Sequence, residues 1–269
     1  MEIIQILQYT FIQKAFIAGS FVAITCSSLG LFLVLRKMSL IGDGLSHVSF
    51  GAIALGLFFG LYPFYVAVPI VVLASILILK ISEKARVYGD AAIGIVSAVG
   101  ISSGVILASL SQGFNVDLFS YLFGNILAIS TFEVVLSVVL SVFVILMISL
   151  FYWDLFSAAF DEDYAKTTGI KTYSINILLT ILTAITVVLS VKVVGIMLVS
   201  ALLIFPAVTA LQISRKFKTA IVLGGLIALL SVVFGIFISY IFDIPPGATI
   251  VMLNALFFAL IFAYKKIYN

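Results

Sequence analysis

The chain has 269 residues, of which 64% are hydrophobic and 9% charged, with a mean hydropathy of +1.36. A water-soluble domain of this size cannot keep that much apolar surface dry, so composition excludes a soluble enzyme or binding domain and places the chain in a membrane. The formal charge of +3 needs no nucleic acid, because the basic residues gather in short connections between apolar runs.

The N-terminus lacks a basic lead followed by a small-residue cleavage site, so no removable signal peptide is expected. Runs long enough to span a bilayer lie near 11–35, 42–60, 63–80, 90–110, 131–152, 172–190, 192–212, 219–242 and 247–264. The segment 116–129 is short and carries Asp117 and Asn125, which suits a short or re-entrant helix packed on protein better than a crossing. Tyr62-Pro63 and Asp243-Ile244-Pro245-Pro246-Gly247 break the chain between spans. The predicted fold is an all-α integral membrane protein, a polytopic bundle of about eight or nine helices forming one domain over 1–269.

Arg36-Lys37, Lys80/Lys84/Arg86, Lys166/Lys171, Arg215/Lys216/Lys218 and Lys265/Lys266 hold twelve of the fourteen basic residues. All five clusters fall on one side if 116–129 does not cross, and positive charge marks that side as cytoplasmic. The expected topology has the N-terminus outside and the C-terminus in the cytoplasm.

Leading from the first connection into the second span is Met38-Ser39-Leu40-Ile41-Gly42-Asp43-Gly44-Leu45-Ser46-His47, with the chain's only histidine. Asp43 and His47 are four residues apart, which on a helix stacks both side chains on one face. A carboxylate and an imidazole so placed can grip a divalent transition metal. At a rise of about 1.5 Å per residue, His47 sits roughly 12 Å above Ser39, deep in the hydrocarbon. The plainer alternative is that Asp43 caps the helix and His47 satisfies a carbonyl. Gly42, Gly44, Gly51 and Gly56 keep this helix thin enough for close approach.

The longest polar connection runs from Trp153 to Ile170. Asp161 can cap a short helix there, with Glu162 and Asp163 in its first turn and Gly169 ending it. Such a helix suits docking of a soluble partner; an ordinary solvated loop is the alternative. No Gly-x-x-x-x-Gly-Lys-[Ser/Thr] phosphate cradle, no His-Glu-x-x-His and no paired cysteines occur. Cys26 reads as packing, and Glu133, Asn176, Lys192 and Asn254 as interhelical or interfacial polar residues, with Asn125 and Asn176 the leading exceptions. The small-residue runs at 194–201 and 206–210 read as close helix packing, with Pro206 inside a span.

The motif from Arg36 to His47 resembles the signature of permeases in bacterial ATP-binding-cassette importers of zinc, manganese and iron. Asp161 through Gly169, Val194 through Val199, and Leu202 through Ala210 are similar to further family motifs, and the resemblance runs over nearly the whole chain. It departs at Gly51-Ala52, where many relatives have Pro-Gly or Ala-Gly. The resemblance implies a permease of the cobalamin-importer-like type, working as a homodimer with two cytoplasmic ATP-binding subunits. These would dock on a coupling helix at about 154–169, through Asp161, Glu162, Tyr164, Ala165 and Gly169. An extracellular metal-binding protein would deliver the ion, Asp43 and His47 would line its path, and no cofactor would be permanently bound. Leu45 through Phe50 looks more like the zinc branch than the manganese branch, so zinc is the favoured cargo by resemblance. A proton-coupled secondary transporter or channel, and an importer of an organic chelate, are the competing readings.

Overall fold

The computed structural model describes residues 8–84, 89–111, 121–122, 124 and 129–268. Among these the regular structure is helical: α1 (Thr10–Leu35), α2 (Ile41–Phe58), α3 (Pro63–Lys84), α4 (Gly89–Leu110), α5 (Thr131–Leu150), α6 (Tyr152–Phe160), α7 (Glu162–Thr167), α8 (Thr172–Val194), α9 (Val199–Ile213), α10 (Phe217–Phe242) and α11 (Pro246–Tyr268). Eight of them are long and apolar enough to cross a bilayer, and α9 is a shorter apolar helix of 15 residues. In lipid every backbone polar group must be satisfied within the segment, which is why uninterrupted apolar runs resolve as helices.

Burial sorts them into layers. The spans of α1, α2 and α8 are each 72% buried, whereas those of α3, α4, α5, α10 and α11 lie between 22% and 39%. The outer helices point Leu73, Val99, Leu146, Val222 and Met252 outward, as a lipid-facing surface requires. With no hydrophobic drive between helices in lipid, contact depends on close approach and on a few polar bonds. A Cβ at Gly30 on α1 would stand 1.9 Å from the Leu203 carbonyl oxygen of α9, so that crossing admits only glycine. Cys26 faces Ser190 of α8 at 3.0 Å, and Ser231 of α10 donates to Asn254 of α11 at 2.9 Å. Glu133 belongs to the capping box of α5, accepting from the Ser130 backbone at 2.9 Å.

Two boundaries differ from expectation. The predicted sixth and seventh spans, 172–190 and 192–212, meet not at residue 191 but at Gly195. α8 runs on to Val194, Gly195 turns left-handed at φ 85, and a 3₁₀ turn over Ile196–Leu198 leads into α9. A glycine can take that backbone without strain. The expected helix at 154–169 is two helices, because Asp161 is extended at φ −149 and ψ 101. Arg86, Asn125 and most of 116–129 lie outside the described residues.

Candidate functional site

Asp43 and His47 project from the first two turns of α2, and His47 Nε2 lies 3.6 Å from Asp43 Oδ2. Two metal–donor bonds of about 2.1 Å, at right-angled or tetrahedral geometry, set their donors roughly 3.0–3.4 Å apart. A slight rotation of either side chain therefore admits one cation between these atoms. The capping alternative is not what the helix shows: its N-cap is Leu40, with no side-chain cap bond, and the buried His47 Nδ1 has no hydrogen-bond partner among the described residues. Among the described residues no third His, Cys, Asp or Glu joins the pair. Any further ligand is then water, backbone, a neutral side chain or a group from another molecule.

The surroundings explain how the pair is held. Gly44 lets α4 approach until a Cβ there would stand 2.4 Å from Ile93 Cγ2, and Gly51 would meet the Gly100 carbonyl oxygen at 2.4 Å. Gly100 in turn seats against the Val48 backbone, next to His47. The site thus stands on a helix clamped along its glycine face. On its other side, Ser200 Oγ of α9 lies 3.6 Å from where a Gly42 Cβ would be, buried and without a hydrogen-bond partner among the described residues. Ser49 Oγ on α2 is likewise buried with no hydrogen-bond partner among the described residues. Sequence reasoning treated the run containing Ser200 as packing; its hydroxyl among small apolar residues was the available signal. The Asp43 side chain is 49% exposed and that of His47 25%. A turn further on, α2 borders an apolar groove of about 660 Å³ shared with α3 and α4.

The second candidate region is α6 and α7. The Asp161 carboxylate accepts from Tyr164 N at 2.9 Å, as an N-cap should. Gly169, at φ 87, closes α7 with paired bonds from Gly169 N to the Lys166 carbonyl and from Ile170 N to the Ala165 carbonyl, a Schellman ending. Ala165 is fully buried against the bundle while Tyr164, Phe160 and Trp153 are exposed. Lys166 bonds Asp163 and faces Glu162, and these carboxylates hold its ammonium above its ordinary pKa. Glu162 points the other way as well, pairing with Arg36 Nη2 at 2.7 Å. The same guanidinium donates through Nη1 to Asn176 of α8. Its burial lowers the Arg36 pKa from the ordinary arginine value, while Glu162 acts in the opposite sense. In the sequence, Arg36 served as a topology marker and the first residue of the family motif, and Asn176 as an interhelical polar residue or, as an exception, a ligand; the structure gives both to this junction.

Comparison with known proteins places these features in context. The profile of the ABC 3 transport family matches residues 8–265. Over 261 residues the chain is 35% identical to the manganese transport system membrane protein MntC of Halalkalibacterium halodurans, covering 97% of this chain and 89% of that protein. It is 36% identical over 254 residues to the manganese import system permease protein ScaB of Streptococcus gordonii, covering 94% and 91%. The structure of PsaBC from Streptococcus pneumoniae in complex with Fab superposes with a TM-score of 0.89 at 34% identity, covering 100% of this chain and 99% of that one. An inward-facing metal-chelate type ABC transporter shares the fold at a TM-score of 0.75 and 17% identity.

Proposed function

From the premise that the chain belongs to the ABC 3 transport family, as the membrane permease subunit of an ATP-binding-cassette metal importer and not an enzyme, we propose that its cargo is Mn²⁺, passed inward between Asp43 and His47. ATP hydrolysis lies with a separate subunit, and a solute-binding protein serves the outer side. The observation that carries the reading is the 3.6 Å gap between one carboxylate oxygen and one imidazole nitrogen, with no third charged ligand from the described residues. A transport site must bind strongly enough to admit the ion and weakly enough to release it, which two protein donors achieve and a closed cage does not. One oxygen and one nitrogen donor suit manganese, whose binding sits low in the divalent series. Zinc, favoured by the pattern at Leu45 through Phe50, gives way because the relatives MntC and ScaB are named for manganese.

The permease works as a homodimer with two ATP-binding subunits docked on α6 and α7. A half-exposed carboxylate within a membrane span, one turn below His47, costs a few kcal/mol unless it is paired or faces water, and a second copy laid over this face supplies that cover. The distribution of lysine and arginine supports an N-terminus outside and a C-terminus in the cytoplasm. Metal released into an outward cavity exchanges part of its hydration shell for Asp43 and His47. Nucleotide turnover below then rocks the bundle to open the inner side. The test is metal content in cells lacking this chain, with manganese, zinc and iron compared. Loss confined to manganese is expected; an equal or larger loss of zinc or iron would overturn the cargo assignment.

A further inference from the structure

Arg36 bonds the α7 region directly and stands in the chain just ahead of α2, which carries Asp43 and His47. Its side chain is 9% exposed, bonded to Glu162 at the start of α7 and to Asn176 near the start of α8. The chain leaving it is taut. Lys37 stands at φ 58, a left-handed backbone that costs a non-glycine residue about 1 kcal/mol or more. Lys37 N donates to the Val34 carbonyl at 3.1 Å and Met38 N to the Leu33 carbonyl at 2.9 Å, so the turn closes back on α1 without slack. Ile41 N then bonds the Met38 carbonyl, α2 begins, and Asp43 follows within its first turn. Beside the junction lies a cavity of about 300 Å³, lined by Arg36, Lys37, Asp90, Glu162 and Asn176 among others. The ion pair has room to swing.

We infer that Arg36 is a positioning residue that carries displacement of α7 to α2, so that the state of the docked ATP-binding subunit sets the placement of Asp43. This rests on the docking role proposed above for α7. Buried ion pairs contribute little net stability compared with apolar replacements, but removing one partner leaves an uncompensated charge. A link that must hold through a moving joint fits that balance better than a fastener of a static fold. Asn176 anchors the guanidinium to α8, which gives the lever its fulcrum.

The experiment uses the full chain assembled with its ATP-binding subunits in lipid vesicles, and reads two signals. The first is Mn²⁺ taken up per ATP hydrolysed. The second is the labelling rate of a thiol introduced by Leu40→Cys, at the exposed cap of α2; Cys26 is buried and stays silent. ATP is expected to change that rate about tenfold, a normal size for coupling between sites. Arg36→Gln should abolish the response and lower uptake per ATP about tenfold, with hydrolysis retained. Arg36→Glu and Glu162→Arg should each behave likewise, and the reversed pair should recover most of the response. A response that persists in Arg36→Gln, an absent response in the parental complex, or a reversed pair no better than either single change overturns the inference. Should the parental complex take up no Mn²⁺ while labelling still follows ATP through Arg36, the cargo assignment fails and the joint stands.

Discussion

Gly51→Ala adds a single methyl group one helical turn beyond His47. That Cβ would stand 2.4 Å from the Gly100 carbonyl oxygen and 2.7 Å from Ser103 Oγ, whereas ordinary contact begins near 3.4 Å. The serine hydroxyl can rotate away, but the α4 backbone cannot, so α2 and α4 must part by about 1 Å. Overpacking of this kind costs about 1–3 kcal/mol, offset by up to about 1 kcal/mol from the better helix propensity of alanine. The net loss is about 1–2 kcal/mol in thermal unfolding of the solubilised protein. Function should suffer more than stability, because metal ligation tolerates about 0.2 Å and the displacement is several times larger. Mn²⁺ accumulation should drop by about tenfold or more at unchanged membrane abundance. Gly94→Ala, on the same α4 but with nothing within 4 Å of the new methyl, is the control and should leave uptake intact. Parental uptake and stability in Gly51→Ala would refute the idea that close approach of these two helices positions the metal pair.

Other substitutions separate structural from functional roles. Asn254→Ala removes the buried bond between α10 and α11 and leaves Ser231 with its bond to Ile227; a loss of about 1 kcal/mol is expected in thermal unfolding, with transport retained. Gly169→Ala forces a methyl into a left-handed backbone with open space around it, so only strain counts, and a loss of about 1 kcal/mol should show as lower thermal stability of the complex. Tyr164→Ala removes an exposed ring from α7 and should weaken co-purification of the ATP-binding subunit and uncouple hydrolysis from uptake, with the stability of the permease alone unchanged.

Much of this was legible before any coordinates. Apolar run length located the spans because lipid leaves the backbone no alternative to helix. The Asp43/His47 spacing was readable because helical periodicity places i and i+4 on one face, and the α7 ends because Asp161 and Gly169 obey local capping chemistry. What stayed hidden depended on contacts between distant segments. The bond from Arg36 to Glu162 joins residues far apart in the chain, and nothing local marks an arginine at a helix end as buried. The break at Gly195 escaped because the apolar run passes through it unbroken, and a glycine in such a run signals helix packing as readily as a left-handed turn. The choice between zinc and manganese escaped for a different reason: one carboxylate and one imidazole suit both ions.

The account depends most on the two side chains of α2 forming the cargo's passage. The direct test is ATP-driven Mn²⁺ uptake into vesicles carrying the assembled transporter with His47→Ala, measured beside ATP hydrolysis and retention of the ATP-binding subunit. The account predicts uptake reduced to background with assembly intact. Uptake at the parental rate would contradict it.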